Sequence, residues 1–168
     1  MRRYLPLCAC ALLAGLILAQ APGDPYAPLR LYDGTWNATG QRDGKPVSNH
    51  IVNVCKQLGL YFACQQTVDG KVGSLIVFVP TDTPGQYHTQ AVLPQGYATG
   101  RGDLDIQGER WTYSSKGADD KGKTVYFRTL NVFHGPDHIH YTLQKSSDGQ
   151  HWTTDGEGDE IHLPKAGG

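Results

Sequence analysis

The chain has 168 residues, with 15 Lys and Arg against 16 Asp and Glu, a formal net charge of −1. That length suits one domain with its own core, and near-neutral charge without a basic stripe excludes a protein that tracks nucleic-acid phosphates. Abundant Gly (21 residues), a 10% aromatic fraction and only three glutamates (Glu109, Glu157, Glu160) exclude a disordered chain and favour turns and strands over helices.

Met1-Arg2-Arg3 and the apolar run from Tyr4 to Ala19 form a positive start followed by a hydrophobic stretch. The run is shorter than the ~20 residues of a membrane-spanning helix. Residues 1–21 therefore read as a secretory signal peptide, cut after Ala19 or after Ala21, and no integral membrane segment is expected in the mature chain. Cys8 and Cys10 lie within that run, and neither follows a lipobox. Residues 22–31 form a lead-in with Pro22, Pro25 and Pro28, expected to be loosely ordered, with a short plug at 29–31. A barrel domain is expected over 32–162 and a frayed tail over 163–168.

From Tyr32 onward, turn signals recur at the spacing of sandwiches and barrels. Strands are predicted near 34–41, 48–57, 60–68, 73–80, 86–93, 97–106, 109–115, 123–133, 138–146 and 150–156, with a polar loop over 115–123. Asp43-Gly44, Asp69-Gly70 and Asp148-Gly149 are hairpin signals. Sequential strands with such short connections predict an all-β, up-and-down antiparallel barrel of about nine or ten strands, because a meander that long removes its edges by closing. A two-sheet sandwich is the rival.

In an exported chain, Cys55 and Cys64 are an even pair in an oxidising compartment. Gly59-Leu60 as a two-residue type II′ loop sets Leu58 opposite Tyr61 and Cys55 opposite Cys64. That pair is non-hydrogen-bonded, with Cα atoms ~4.5 Å apart, a separation that a disulfide accepts. All three tryptophans follow a turn glycine: Trp36 after Gly34, Trp111 after Gly108 and Trp152 after Gly149. Gly34 and the three tryptophans read as scaffold, with each Trp delivered into the barrel as a plug.

Tyr32-Asp33-Gly34-Thr35-Trp36 resembles the Gly-x-Trp signature of the first strand of lipocalin-like (calycin) barrels. Asn53-x-Cys55, Cys64-Gln65-Gln66, Gly108-x-x-Trp111-x-Tyr113 and Ser147-Asp148-Gly149-x-x-Trp152 resemble an uncharacterised family of exported bacterial lipocalin-like proteins. Arg110 and Arg128 are the candidates for the arginine of the lipocalins' third motif. The resemblance implies a barrel with an internal cavity and a ligand-carrying or envelope role.

A small hydrophobic or amphipathic molecule is the expected partner, held in the interior of a periplasmic or extracellular barrel. Tyr61, Phe78, Tyr87, Tyr113, Arg128 and Tyr141 are the candidate lining groups. Arg128, mid-strand between Phe127 and Leu130, is the polar candidate, as an anchor for a carboxylate or as a latch at the barrel end. Stacking of Arg110 or Arg128 on a Trp face is a further expectation.

The turn Gly135-Pro136-Asp137 sets His134 opposite His138 and Val132 opposite His140. His134, His138 and His140 then share a face and could ligate Zn or Cu; a solvated hairpin end is the plainer reading. An axial histidine for haem could come from His88, His140 or His151. No nucleophile elbow, His-Glu-x-x-His, phosphate loop or dinucleotide fingerprint occurs, so no catalytic residue is named. A barrel filled by its own side chains, acting as a structural or interaction domain, is the alternative to a carrier.

Overall fold

The computed structural model describes residues 23–164; the expected leader and the last four residues lie outside that range. Ten antiparallel strands form a closed barrel: β1 (Gly34–Arg42), β2 (Lys45–Leu58), β3 (Tyr61–Val68), β4 (Lys71–Pro80), β5 (Gln86–Val92), β6 (Gly102–Gln107), β7 (Arg110–Ala118), β8 (Thr124–Phe133), β9 (His138–Ser146) and β10 (Thr153–Leu163). Each strand pairs with its sequence neighbours, and β1 pairs with β10 to close the ring.

The turns follow local backbone chemistry. Asp43 and Gly44, like Asp69 and Gly70, all have positive φ, as a type I′ hairpin requires. At Gly59-Leu60 only Gly59 does, which fits type II′. The resulting register places Cys55 opposite Cys64, and the two form a disulfide with Cα atoms 4.1 Å apart.

Three segments differ from the sequence expectation. Residues 97–101, expected to start a strand, belong instead to a turn: Leu93 N donates to Tyr97 O (3.0 Å), and Ala91 N donates to the Thr99 hydroxyl (3.1 Å). β7 runs on to Ala118, and the loop behind it is short because Asp119 Oδ1 accepts from the backbone of Lys121 and Lys123 at 2.9 and 2.8 Å. The last strand starts later and ends later than its local pattern suggests, because its outer edge must match β1 along nearly its whole length.

The lead-in is also built rather than loose. Pro28–Tyr32 is a 3-10 helix, with Tyr26 and Leu29 buried across the end of the barrel. Tyr26 Oη donates to Leu60 O, and Tyr87 Oη donates to Pro25 O. Arg30 ties the segment down through Asp24 (2.7 Å) and Gln57 (3.2 Å). One end of the barrel is therefore stoppered by the chain that precedes its first strand.

The Tyr32-Asp33-Gly34-Thr35-Trp36 stretch fastens this stopper. Trp36 is fully buried, and its Nε1 donates to Tyr32 O (3.1 Å). The Tyr32 ring meets Trp111 edge-on at 5.2 Å and Phe133 at 5.6 Å. Asp33 Oδ1 accepts from Cys55 N (2.9 Å). Gly34 has φ +137°, and the place of its missing Cβ is taken by the His162 ring, which packs on Trp36 at 4.6 Å. Trp36 and Trp111 are thus interior packing groups, as expected. Trp152 is not: it lies outside the strands on the barrel's outer wall, with the Arg128 guanidinium 4.1 Å above its ring.

Candidate functional site

Above the stopper, the interior holds a cavity of about 650 Å³. A second space of about 440 Å³ adjoins it through Ile76, Tyr113 and Thr129, which line both. Inward side chains alternate along each strand with outward ones. From β1 come Ala38 and, at the open end, Arg42; from β2, Ile51 and Asn53; from β4, Ile76 and Phe78. The polar wall includes Asn49 and Asn53 of β2, Gln66 of β3, Asn131 of β8, Tyr141 of β9 and Glu160 of β10.

Two glycines shape that wall. Gly40 and Gly158 face each other across the β1–β10 seam. A Cβ on Gly158 would meet Gly40 Cα and the Tyr141 hydroxyl, both at 2.7 Å. The missing side chains leave the space in which Tyr141 lies across the seam.

At the floor, Asn131 Nδ2 donates to the Tyr32 hydroxyl, and the Tyr113 ring lies 6.4 Å from the Tyr32 ring. Burial raises the pKa of both tyrosines, so both stay protonated. Asn131 Oδ1 is buried and has no partner, an uncommon state for a buried acceptor. Glu160 opens into the same space, and burial pushes its carboxyl up to about 7.

Of the six expected lining groups, Phe78, Tyr113 and Tyr141 line the cavity. Tyr87 is buried under the stopper, where its hydroxyl holds Pro25, and Tyr61 is exposed beside the Gly59-Leu60 turn. Arg128 is on the outer wall, bonded to Gln144 Oε1 (2.8 Å) and stacked on Trp152. The β8 alternation that turns Asn131 inward turns Arg128 outward, so Arg128 anchors no ligand inside the barrel.

His134, His138 and His140 do gather at one hairpin, with the His134 and His138 rings 5.1 Å apart. They gather on the outer wall, where Asp159 Oδ1 takes His138 Nε2 (2.8 Å) and His140 Nδ1 (3.2 Å). Among the described residues, no group of three or more His, Cys, Asp or Glu is arranged to hold a metal ion. His88 and His151 also face outward, paired to Asp103 at 2.8 Å and to Asp148 at 2.7 Å. No histidine lines the cavity among the described residues; the inward His162 of β10 packs on Trp36 instead.

Glu160 and Asn131 are the site residues that sequence reasoning missed. Asn131 lies on the inward face of β8, and nothing in its sequence surroundings marks it. Glu160 is one of only three glutamates in the chain, and that rarity was its only signal. It sits in a Gly- and Asp-rich stretch that does not read as a strand.

No family model matches the chain, and no curated protein matches it. Among solved structures it is similar to the crystal structure of Rv2717c from M. tuberculosis, at 18% identity. That likeness covers 86% of this chain and 99% of the other, with a TM-score of 0.54. At this identity it is a likeness of fold. Among the described residues no helix is long and apolar enough to cross a membrane.

Proposed function

We propose that the chain is an exported lipocalin-like barrel that binds a small amphipathic molecule in its interior. The cavity of about 650 Å³ carries the reading. Its volume is that of small-molecule sites, which pair an apolar lining with a few polar groups. Here the apolar part includes Ile51, Val68, Ile76 and Phe78, and the polar part includes Asn53, Gln66, Asn131, Tyr141 and Glu160. Export is supported by the leader-like N-terminus and by the disulfide, which oxidising compartments maintain.

The test is native mass spectrometry of protein isolated from its host compartment, beside an Ala38→Phe variant. Ala38 is buried on the cavity wall, so the added ring takes ligand space. A mass increment that is lost on denaturation and absent from Ala38→Phe supports the reading. Equal occupancy of both proteins, or a bare chain that also fails to bind apolar probes, overturns it.

A further inference from the structure

Two acceptors in the cavity wall lack donors from the protein. Asn131 is 7% exposed, its amide nitrogen is spent on Tyr32, and its Oδ1 has no partner. The Glu160 carboxyl is shifted by burial alone, with no hydrogen bond acting on it. The Tyr141 hydroxyl and the amides of Asn53 and Gln66 also line the cavity, but none of them is bonded to Asn131 Oδ1 or to Glu160. Among the described residues, Arg42 is the one cation lining the cavity, and it is exposed at the open end. It lies four residues along β1 from Ala38, the partner of Glu160, or roughly 13 Å at strand rise.

Asn131 and Glu160 therefore present two unmet acceptors to the cavity, one of them a potential anion. A carboxylate head would bring only further acceptors and like charge, whereas an ammonium brings three donors and no acceptor. Resting on the cavity-binding reading above, we infer that the ligand is an amphipathic primary amine, its head group held by Asn131 Oδ1 and the Glu160 carboxylate and its apolar part against Ile51, Val68, Ile76 and Phe78.

Binding then follows the charge of Glu160. The titratable and charged groups that face it are Tyr32 of the 3-10 helix, Tyr113 of β7, Tyr141 of β9, Arg42 of β1 and His162 of its own strand. Burial raises all three tyrosines, and His162 is occupied with Trp36 and with Asp137 at 3.6 Å. An alkylamine stays cationic through neutral pH, near the ~10.4 of a lysine. Its affinity should rise as pH passes upward through about 7, where Glu160 loses its proton.

Nonylamine, nonanol and nonanoate, titrated calorimetrically into the intact chain at pH 6 and pH 8, form the test. The expected result at pH 8 is nonylamine binding roughly tenfold or more tighter than nonanoate, the step of about 1.4 kcal/mol. The margin should shrink at pH 6 and vanish in Glu160→Gln. Asn131→Leu, which removes the other acceptor, should weaken the amine as well and gives a second reading should Glu160→Gln not fold. Nonanoate or nonanol binding as tightly as the amine overturns the head-group inference while cavity binding stands. Binding of none of the three overturns both.

Discussion

Glu160 ties the interior to pH through stability as well as through any ligand. Its carboxyl moves from 4.5 to about 7 on folding because burial disfavours the charge. A raised carboxyl means that the folded chain holds the proton over a pH range where the unfolded chain has released it. Stability contributed by that proton is present below about 4.5 and is lost as pH climbs to about 7. Urea melts of the native chain and Glu160→Gln across that window should diverge by about 1–3 kcal/mol, the native chain losing more as pH rises. Trp36 serves packing instead. It is fully buried, so Trp36→Ala should cost about 3–5 kcal/mol in the same melts. At this scale the sequence was partly legible. Gly34 and Trp36 could be read because turn chemistry and bulk mark them locally. Arg128 misled because a cation between Phe127 and Leu130 looks buried, while its stacking partner, Trp152, lies on a distant loop.

Strands and their seams explain what could and could not be read beyond single residues. The β2–β3 hairpin was legible to the register, since one glycine turn sets every pair from Leu58–Tyr61 to Cys55–Cys64. The disulfide closes a loop with a sequence separation of 9, and chain-entropy reasoning gives it about 2–3 kcal/mol. Reduction should lower the denaturation midpoint accordingly, and thiol titration of denatured, unreduced protein should find neither Cys55 nor Cys64 free. The β1–β10 seam was not legible, because Gly156, Glu157 and Gly158 are poor strand formers locally. They become strand because β1 needs a partner. Tyr141 over Gly40 and Gly158 leaves no room for side chains, so Gly158→Ala should destabilise the chain by about 1–3 kcal/mol through overpacking.

As a whole, the molecule is a cup whose base comes from the chain preceding its first strand. Leu29 is fully buried in that base, so Leu29→Ala should cost about 2–5 kcal/mol, measured by denaturant midpoint. The all-β meander was legible from composition and turn spacing. The ordered base was less so, because its prolines suggested a loose lead-in and its tyrosine bonds to Leu60 and Pro25 are tertiary. The β1–β10 seam also sets an order of events. It joins residues 35–42 to residues 156–163, while every other strand pair joins sequence neighbours. Local hairpins can zip early, but the ring stays an open curl until its last strand arrives, and long-range pairing of this kind is slow. Because Trp36 packs on His162 of β10, its fluorescence becomes a clock for closure, reaching its native value only in the last kinetic phase of refolding.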